Sequence, residues 1–411
     1  MSLALANVNA REQLPACVVP ATRALQGVRV LFVVPTLGLG GAERQAFFLA
    51  KHLVRHQRAS VSFACFAPVG GSARLAAQCE REGIPWTRFT LRHGFQDRVG
   101  HAVDALRFAR FLRRRRADIV LPYCMFQNVL CALTWRIGGA RVCIWNQRDE
   151  GRARVSRWVE RMAASQIRCF VANAAHGAAF VRDALGAADD RVHVVHNGVM
   201  LPKEGGDPAA WRQRLGLPDS AFVGCMLANL QAYKDHETLV RAWRAVVNRL
   251  HQDGTDAHLL LVGRADGQHA AIERQVEAQG LSRHVHFLGA VSDVWPLLQS
   301  VDLAVFSSRK EGLPNAVLEA MAAGLAVVAT DIPGIREAVG PAGMRCLARE
   351  GDPHDLAAKI VELARDAPLR RALGRAGRER ARVHFSIQRM CEEMTMQIVS
   401  QWSGVAARGQ R

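Results

Sequence analysis

The sequence predicts an α/β protein made of two doubly wound parallel-sheet domains in tandem. Three observations carry this. The chain has 411 residues, 49% of them hydrophobic, which suits two cores of ordinary size better than one. Short apolar runs alternate with longer amphipathic stretches up to Val199, and the same alternation starts afresh at Phe222. Between the two series, residues 200–220 (MLPKEGGDPAAWRQRLGLPDS) hold three prolines and three glycines and read as a linker. The predicted division is a loose lead-in over 1–26, a first domain over 27–200, a second over 201–385 and a closing helix within 386–411.

Gly27–Val34 (GVRVLFVV) is the first predicted strand, Pro35–Gly41 a glycine-rich turn and Ala42–His56 a helix. Val61–Ala67, Trp86–Leu91, Ile119–Tyr123, Val142–Trp145, Cys169–Ala172 and Val192–Val195 continue the strands. Helices Arg74–Gly83 and His101–Arg116 stand among them, and the polar His93–Val99 reads as a loop. In the second series Phe222–Leu227, Leu259–Gly263 and Val285–Gly289 are strands and Val294–Gln299 a short helix. Past Gly340 the chain is helical and arginine-rich, and Ile387–Trp402 is a long helix.

Between these lies Asp302–Glu337, DLAVFSSRKEGLPNAVLEAMAAGLAVVATDIPGIRE. Leu303–Phe306 is a buried strand and Ser307–Gly312 a polar loop. Pro314 suits a first helical position, Ala316–Ala323 is strong helix former ending at Gly324, and Leu325–Thr330 is a second strand. A loop holding Pro333 and Gly334 follows. The unit places its first loop on the carboxyl edge of a sheet, where open α/β folds bind ligands. Glu311 lies in that loop and Glu319 about a turn into the helix, so both can face one cleft. A carboxylate is an acceptor suited to paired sugar hydroxyls. The N–H groups of Gly312, Leu313 and Asn315, at a helix start, favour an anion such as a diphosphate. Taken singly, either glutamate reads as well as a solvated charge; the ordered string is the specific signal.

FSSRKEGLPNAVLEAMAAGLAVVATDIPG resembles the EX7E region of retaining glycosyltransferases of family 4, which have the GT-B fold of two Rossmann-like domains facing across a cleft. The resemblance is strongest over Phe222–Glu337 and thinner over 1–190. It implies that Glu311 contacts the donor sugar and Glu319 the ribose of the nucleotide, with Gly312, Leu313, Pro314 and Asn315 around the donor. LGLGGAER resembles the family's GGAER loop, where Gly40 and Gly41 let backbone approach donor phosphates or acceptor and Glu43 caps the helix start. His196-Asn197-Gly198-Val199 resembles the NGV segment that leaves the first domain.

The family neutralises the diphosphate with an arginine and a lysine five residues apart. Lys234 matches the lysine, but Asn229 stands at the arginine position, and Arg264 in the next loop is a substitute. Where the family offers a first-domain histidine, Cys143–Glu150 (CIWNQRDE) has none; Arg148 is the candidate there, as a sugar or phosphate contact or in an ion pair with a neighbouring acid. His176 and His196 are further candidates. Gly334 and Glu337 resemble the GG..E loop on the acceptor side, and base recognition is expected from backbone near Val285–Gly289.

No His, Cys, Asp and Glu spacing suggests a metal, and none is expected. The implied activity is transfer of a hexose-type sugar, with retention, from a UDP- or GDP-linked donor to a hydroxyl of a glycan or lipid-linked acceptor, in cell-surface polysaccharide or glycolipid synthesis. No other cofactor is expected. Two rivals stand beside it: another enzyme of this fold (a nucleotide-sugar epimerase or sugar-phosphate synthase), and a non-catalytic partner that binds a sugar nucleotide.

The net charge of +17 is nearly all arginine, since there are five lysines, and it favours anionic partners. Nucleic acid is not expected, for there is no zinc finger, RNA-binding aromatic pattern or basic heptad region. The run Arg113–Arg116 reads either as a solvated helix end or as a membrane-surface patch. No apolar run approaches the ~20 residues of a membrane span, and no charged-then-apolar leader opens the chain. Ten scattered cysteines without CxxC spacing fit a reducing compartment. The expected location is the cytoplasm, with peripheral binding to the cytoplasmic face of an anionic membrane.

Overall fold

Among the residues that the computed structural model describes (23–38, 40–67, 74–92, 98–152, 154–202 and 209–407), the apolar runs become two sheets. In the first half β1 (Arg29–Val34), β2 (Ser60–Cys65), β3 (Trp86–Arg88), β4 (Ile119–Pro122), β5 (Val142–Gln147), β6 (Cys169–Ala172) and β7 (Val192–Val194) lie in the order β3-β2-β1-β4-β5-β6-β7. In the second, β8 (Phe222–Leu227), β9 (Ala257–Val262), β10 (Val285–Gly289), β11 (Leu303–Phe306), β12 (Ala326–Thr330) and β13 (Leu347–Ala348) lie in the order β10-β9-β8-β11-β12-β13. The pairings are parallel, as in the β1–β2 register from Arg29↔Ser60 to Val34↔Cys65. Parallel strands need helical crossovers on both faces, so β8 and β9 are buried along their whole length.

Each half has its own core. In the first, Phe32 stacks on Phe63 at 5.0 Å and lies 6.1 Å from Tyr123. In the second, Trp243 is fully buried against β8 at Gly224, where a Cβ would come within 2.6 Å of the indole. That close approach is why β8 carries a glycine in mid-strand. The helix Ile387–Ala406 belongs to the second half by sequence but packs on the first. Its Met390, Met394 and Ile398 join the core that holds Leu49 and Leu53 of the helix Gly41–Gln57. Val199 N–H donates to the Phe385 carbonyl at 2.7 Å, so the two strands of chain that join the halves run side by side.

Several boundaries differ from expectation. Trp86–Leu91 is a strand only to Arg88. Pro314 is the cap before the helix Asn315–Ala322 rather than its first residue. Pro333 and Gly334 do not lie in a loop; they open the helix Pro333–Gly343, Pro333 taking a position whose N–H needs no partner. Of the lead-in, the described part includes Leu25, fully buried in the first core. Most of the His93–Val99 loop lies outside the described residues.

The strand order reverses between β1 and β4 and again between β8 and β11. A crevice opens at such a reversal because the crossover helices leave on opposite faces. The two reversals lie on one cleft.

Candidate active site

The cleft has a volume of about 980 Å³ and is lined by loops from the carboxyl ends of both sheets. The loops after β8 and β11 bring Lys234, Glu311 and Glu319 to it, and those after β1 and β5 bring Arg44, Arg148 and Arg152.

Lys234 closes the single turn Ala232–Lys234 just before the helix His236–Gln252. Its position is built locally. Asp235 adopts a left-handed conformation (φ 52°) and accepts from Thr238 N–H, capping the helix. Arg309 donates to both Asp235 oxygens, at 2.9 and 3.2 Å, and the Ser307 hydroxyl donates to the Lys234 carbonyl at 3.1 Å. The ammonium so held pairs with the Glu311 carboxylate and lies 5.3 Å from the Tyr233 ring. Behind it His236 is buried; burial first, then the Lys234 charge, pushes its pKa down to about 4.

Glu319 lies one turn into the helix Asn315–Ala322 and is only 8% exposed. Its Oε1 accepts from Arg44 Nη1 at 2.6 Å, a contact that crosses the cleft. The loop between the two glutamates is also tied across. Asn197 Nδ2 donates to the Leu313 carbonyl and to Asn315 Oδ1, both at 2.8 Å. Asn315 Nδ2 donates to the Gly41 carbonyl at 3.1 Å. Gly312 faces the Arg148 carbonyl so closely that a Cβ would lie 2.5 Å from it, and a Cβ on Gly334 would lie 1.7 Å from the Gly312 carbonyl. These two glycines let three segments of backbone meet beneath the cleft.

Asn229 lines the cleft, but its Oδ1 accepts from Arg264 N–H at 3.0 Å, so the side chain shapes the loop where the family has a cation. Arg264 also lines the cleft, half-exposed, and pairs with Asp266 at 3.2 Å. Arg148 makes no ion pair with its neighbouring acids. It stacks 4.5 Å from the Tyr123 ring and donates to Asn197 Oδ1 at 3.2 Å and Asn146 Oδ1 at 3.4 Å. Gly41 lines the cleft, whereas Gly40 makes room for the side chain of Glu43: a Cβ on it would lie 2.0 Å from a Glu43 oxygen. Burial raises the Glu43 carboxyl above its ordinary range.

His176 and His196 hold the halves together rather than lining the cleft. His176 Nε2 lies 2.8 Å from the Glu311 carbonyl. His196 Nε2 lies 2.6 Å from Glu337 Oε1, and Ala175 N–H donates to Glu337 Oε2 at 2.8 Å. Burial opposes its charge, but the imidazole and the N–H hold the Glu337 carboxyl below its ordinary range. Val285–Gly289 does not line the cleft; the loop that follows it does, from Ala290 to Trp295.

Arg44, Asn197 and Arg152 also line the cleft, and the motifs by themselves give them no role. Arg44 and Asn197 stood inside the GGAER and NGV strings, so the signal for them was present. Arg152 lies in no motif. Among the described residues no group of His, Cys, Asp and Glu side chains is placed to hold a metal ion, and no helix is long and apolar enough to cross a membrane.

A family model for Glycosyltransferase Family 4 matches residues 39–201, and one for Glycosyl transferases group 1 matches residues 218–366. The chain is 36% identical over 132 residues to a Campylobacter jejuni N,N'-diacetylbacillosaminyl-diphospho-undecaprenol alpha-1,3-N-acetylgalactosaminyltransferase, covering 31% of this chain and 34% of that one. It is 31% identical over 273 residues to a D-inositol 3-phosphate glycosyltransferase of Geodermatophilus obscurus, covering 64% and 59%. The matches thus span about a third to three-fifths of these relatives. HepE of Anabaena, solved with UDP and glucose, superposes with a TM-score of 0.77 at 21% identity, covering 91% of this chain and 100% of that one. The two architectures are the same.

Proposed function

The chain belongs to the GT-B glycosyltransferases of group 1 and family 4, and from that premise we propose that it moves a hexose-type sugar from a UDP- or GDP-linked donor to a hydroxyl of a glycan or lipid-linked acceptor, with retention. The observation that carries this reading is the ion pair of Lys234 with Glu311 in the same cleft as Glu319 and the Gly312–Asn315 backbone. In this reading Glu319 grips the ribose and the loop N–H groups and Lys234 take the diphosphate, whose negative charge grows as the glycosidic bond breaks. Glu311 holds the donor sugar and is itself held by Lys234. The acceptor proton passes to the leaving phosphate, so neither glutamate acts as the base. Ties across the cleft support a closed state that excludes water, the competing acceptor. In this reading the charge is met by the chain's own cation and N–H groups rather than by a resident metal.

HepE was solved with UDP and glucose, and the Campylobacter relative is named for an undecaprenol-linked substrate; both favour such a donor and a lipid-linked acceptor. The helix Arg98–Arg115 turns outward a stripe of Val103, Leu106, Arg110, Arg113 and Arg114, and Trp158 is 71% exposed on the helix Arg157–Ser165. Apolar and cationic side chains on the first half support peripheral binding to an anionic bilayer at the cytoplasmic face.

The test is thermal shift with UDP-, GDP- and ADP-sugars on the wild type and on Glu319→Ala. Stabilisation by one donor, lost in the variant, is expected; stabilisation that persists in Glu319→Ala overturns the site. No response to any donor would favour a non-catalytic protein.

A further inference from the structure

We propose that Arg152, a residue of the first half, is the second cation on the leaving phosphate, so that the charge clamp of this enzyme closes across the cleft instead of within one domain. The proposal rests on the donor-site reading above. Among the described residues of the second half, Lys234 is the one cation paired with Glu311. Asn229 is neutral and its oxygen is taken up by the Arg264 N–H, and the Arg264 guanidinium is turned toward Asp266. A site for two phosphates built from one lysine is short of charge.

Arg152 supplies what is missing. It lines the same cleft as Lys234 and Glu311, and its guanidinium carbon lies 4.1 Å from the centroid of the Tyr233 ring, which Lys234 also approaches. Two cations on one aromatic ring repel each other, and an anion between them removes that cost. Among the described residues Arg152 makes no ion pair or side-chain hydrogen bond, although it feels the fields of Asp149, Glu150 and Glu311. The Asp149 carboxylate is occupied by Gln147 Nε2 and Gly151 N–H, at 2.9 and 2.8 Å. A free guanidinium, fixed by stacking, offers a planar fork that matches phosphate oxygens.

In the transfer step the bond from the anomeric carbon to the phosphate oxygen breaks and its electron pair stays on that oxygen. The bond from the acceptor oxygen forms, and the acceptor proton goes to the leaving phosphate. Arg152 and Lys234 hold the oxygen on which charge accumulates.

The experiment is isothermal calorimetry of the full chain with UDP and UMP, and with GDP and GMP, on the wild type, Arg152→Ala and Arg152→Lys. The monophosphates lack the phosphate in question. Arg152→Ala is expected to weaken the diphosphate that binds by about tenfold or more while its monophosphate holds, with partial recovery in Arg152→Lys and an unchanged Tm. Equal weakening of both nucleotides, or of neither, overturns the role of Arg152 and leaves the donor site standing. Binding of neither UDP nor GDP by the wild type brings down the donor-site reading and this proposal with it.

Discussion

The second half brings Glu311, Gly312, Asn315 and Glu319 to the cleft from one stretch of chain, whereas the first half brings Arg44, Arg148, Arg152 and Asn197 from beyond three separate strands, β1, β5 and β7. The pairings differ too. Lys234 and Glu311 belong to the second half alone, so that pair exists whether or not the halves approach. Arg44 meets Glu319, Asn197 meets Leu313 and Asn315, and His196 meets Glu337, all across the boundary. One half holds a preassembled charge pair; the other reports that the halves have come together. Chemistry that must wait for closure is well served by such a division.

The comparison breaks most visibly at Glu311. Glu311→Gln is expected to cut kcat for sugar transfer by about 10²–10³ while the Tm changes little, because Lys234 keeps a polar partner. An effect below about tenfold would show that the self-contained pair is not the reacting centre. The next largest effect concerns His236, beside Lys234. Its folded pKa of about 4 lies below the ordinary 6.5, so the unfolded chain takes up a proton first as pH falls. Stability therefore declines from pH 6.5 toward 4 and levels off below, by up to ~3 kcal/mol from this one group. His236→Phe should flatten that part of the stability profile, and an unchanged profile refutes the burial of this ring.

Gly334→Ala addresses the seam itself. Its added Cβ would press on the Gly312 carbonyl, and a loss of about 1–3 kcal/mol in denaturant unfolding is expected, with a raised donor KM because the Gly312 loop is displaced. A fully stable variant with normal KM would show that the seam is slack. The smallest effect is at Glu337. Its carboxyl is held below the ordinary range, so the contact with His196 and Ala175 is fully present above that range and is lost as pH falls through the lower, folded value. Comparing Glu337→Gln with the wild type should give a stability difference near ~1 kcal/mol at pH 7 that closes toward acid. A difference independent of pH would mean that the charge plays no part.

The same contrast explains what was legible beforehand. Glu311, Glu319 and the Gly312–Asn315 loop could be read from the sequence because a strand end, a loop and a helix start are contiguous, whereas Lys234, 77 positions before Glu311, came only with the family resemblance. The strand series was legible because buried parallel strands are apolar along their length, as in FVGCML. Arg152 was not, since its partner Tyr233 is 81 positions away and lies beyond β8 of the other sheet, so only the approach of the two halves brings them to one cleft. Of the two readings of Arg148, the ion pair with Asp149 or Glu150 is not made: Asn146, Asn197 and the Tyr123 ring hold the guanidinium at the cleft. Pro333 and Gly334 read as a loop because both punctuate chains, yet the same pair serves to open a helix against another backbone.

The crossing of the helix Ile387–Ala406 has a consequence for biosynthesis. Met390, Met394 and Ile398 complete the core of the half that leaves the ribosome first. At about 5–20 residues per second, the chain between Val199 and Ser386 takes roughly 10–40 s to make, and for that time the first sheet has one face incompletely covered. The half that carries Arg44 and Arg152 is thus the earlier to be synthesised, yet its core is completed only by the last helix among the described residues.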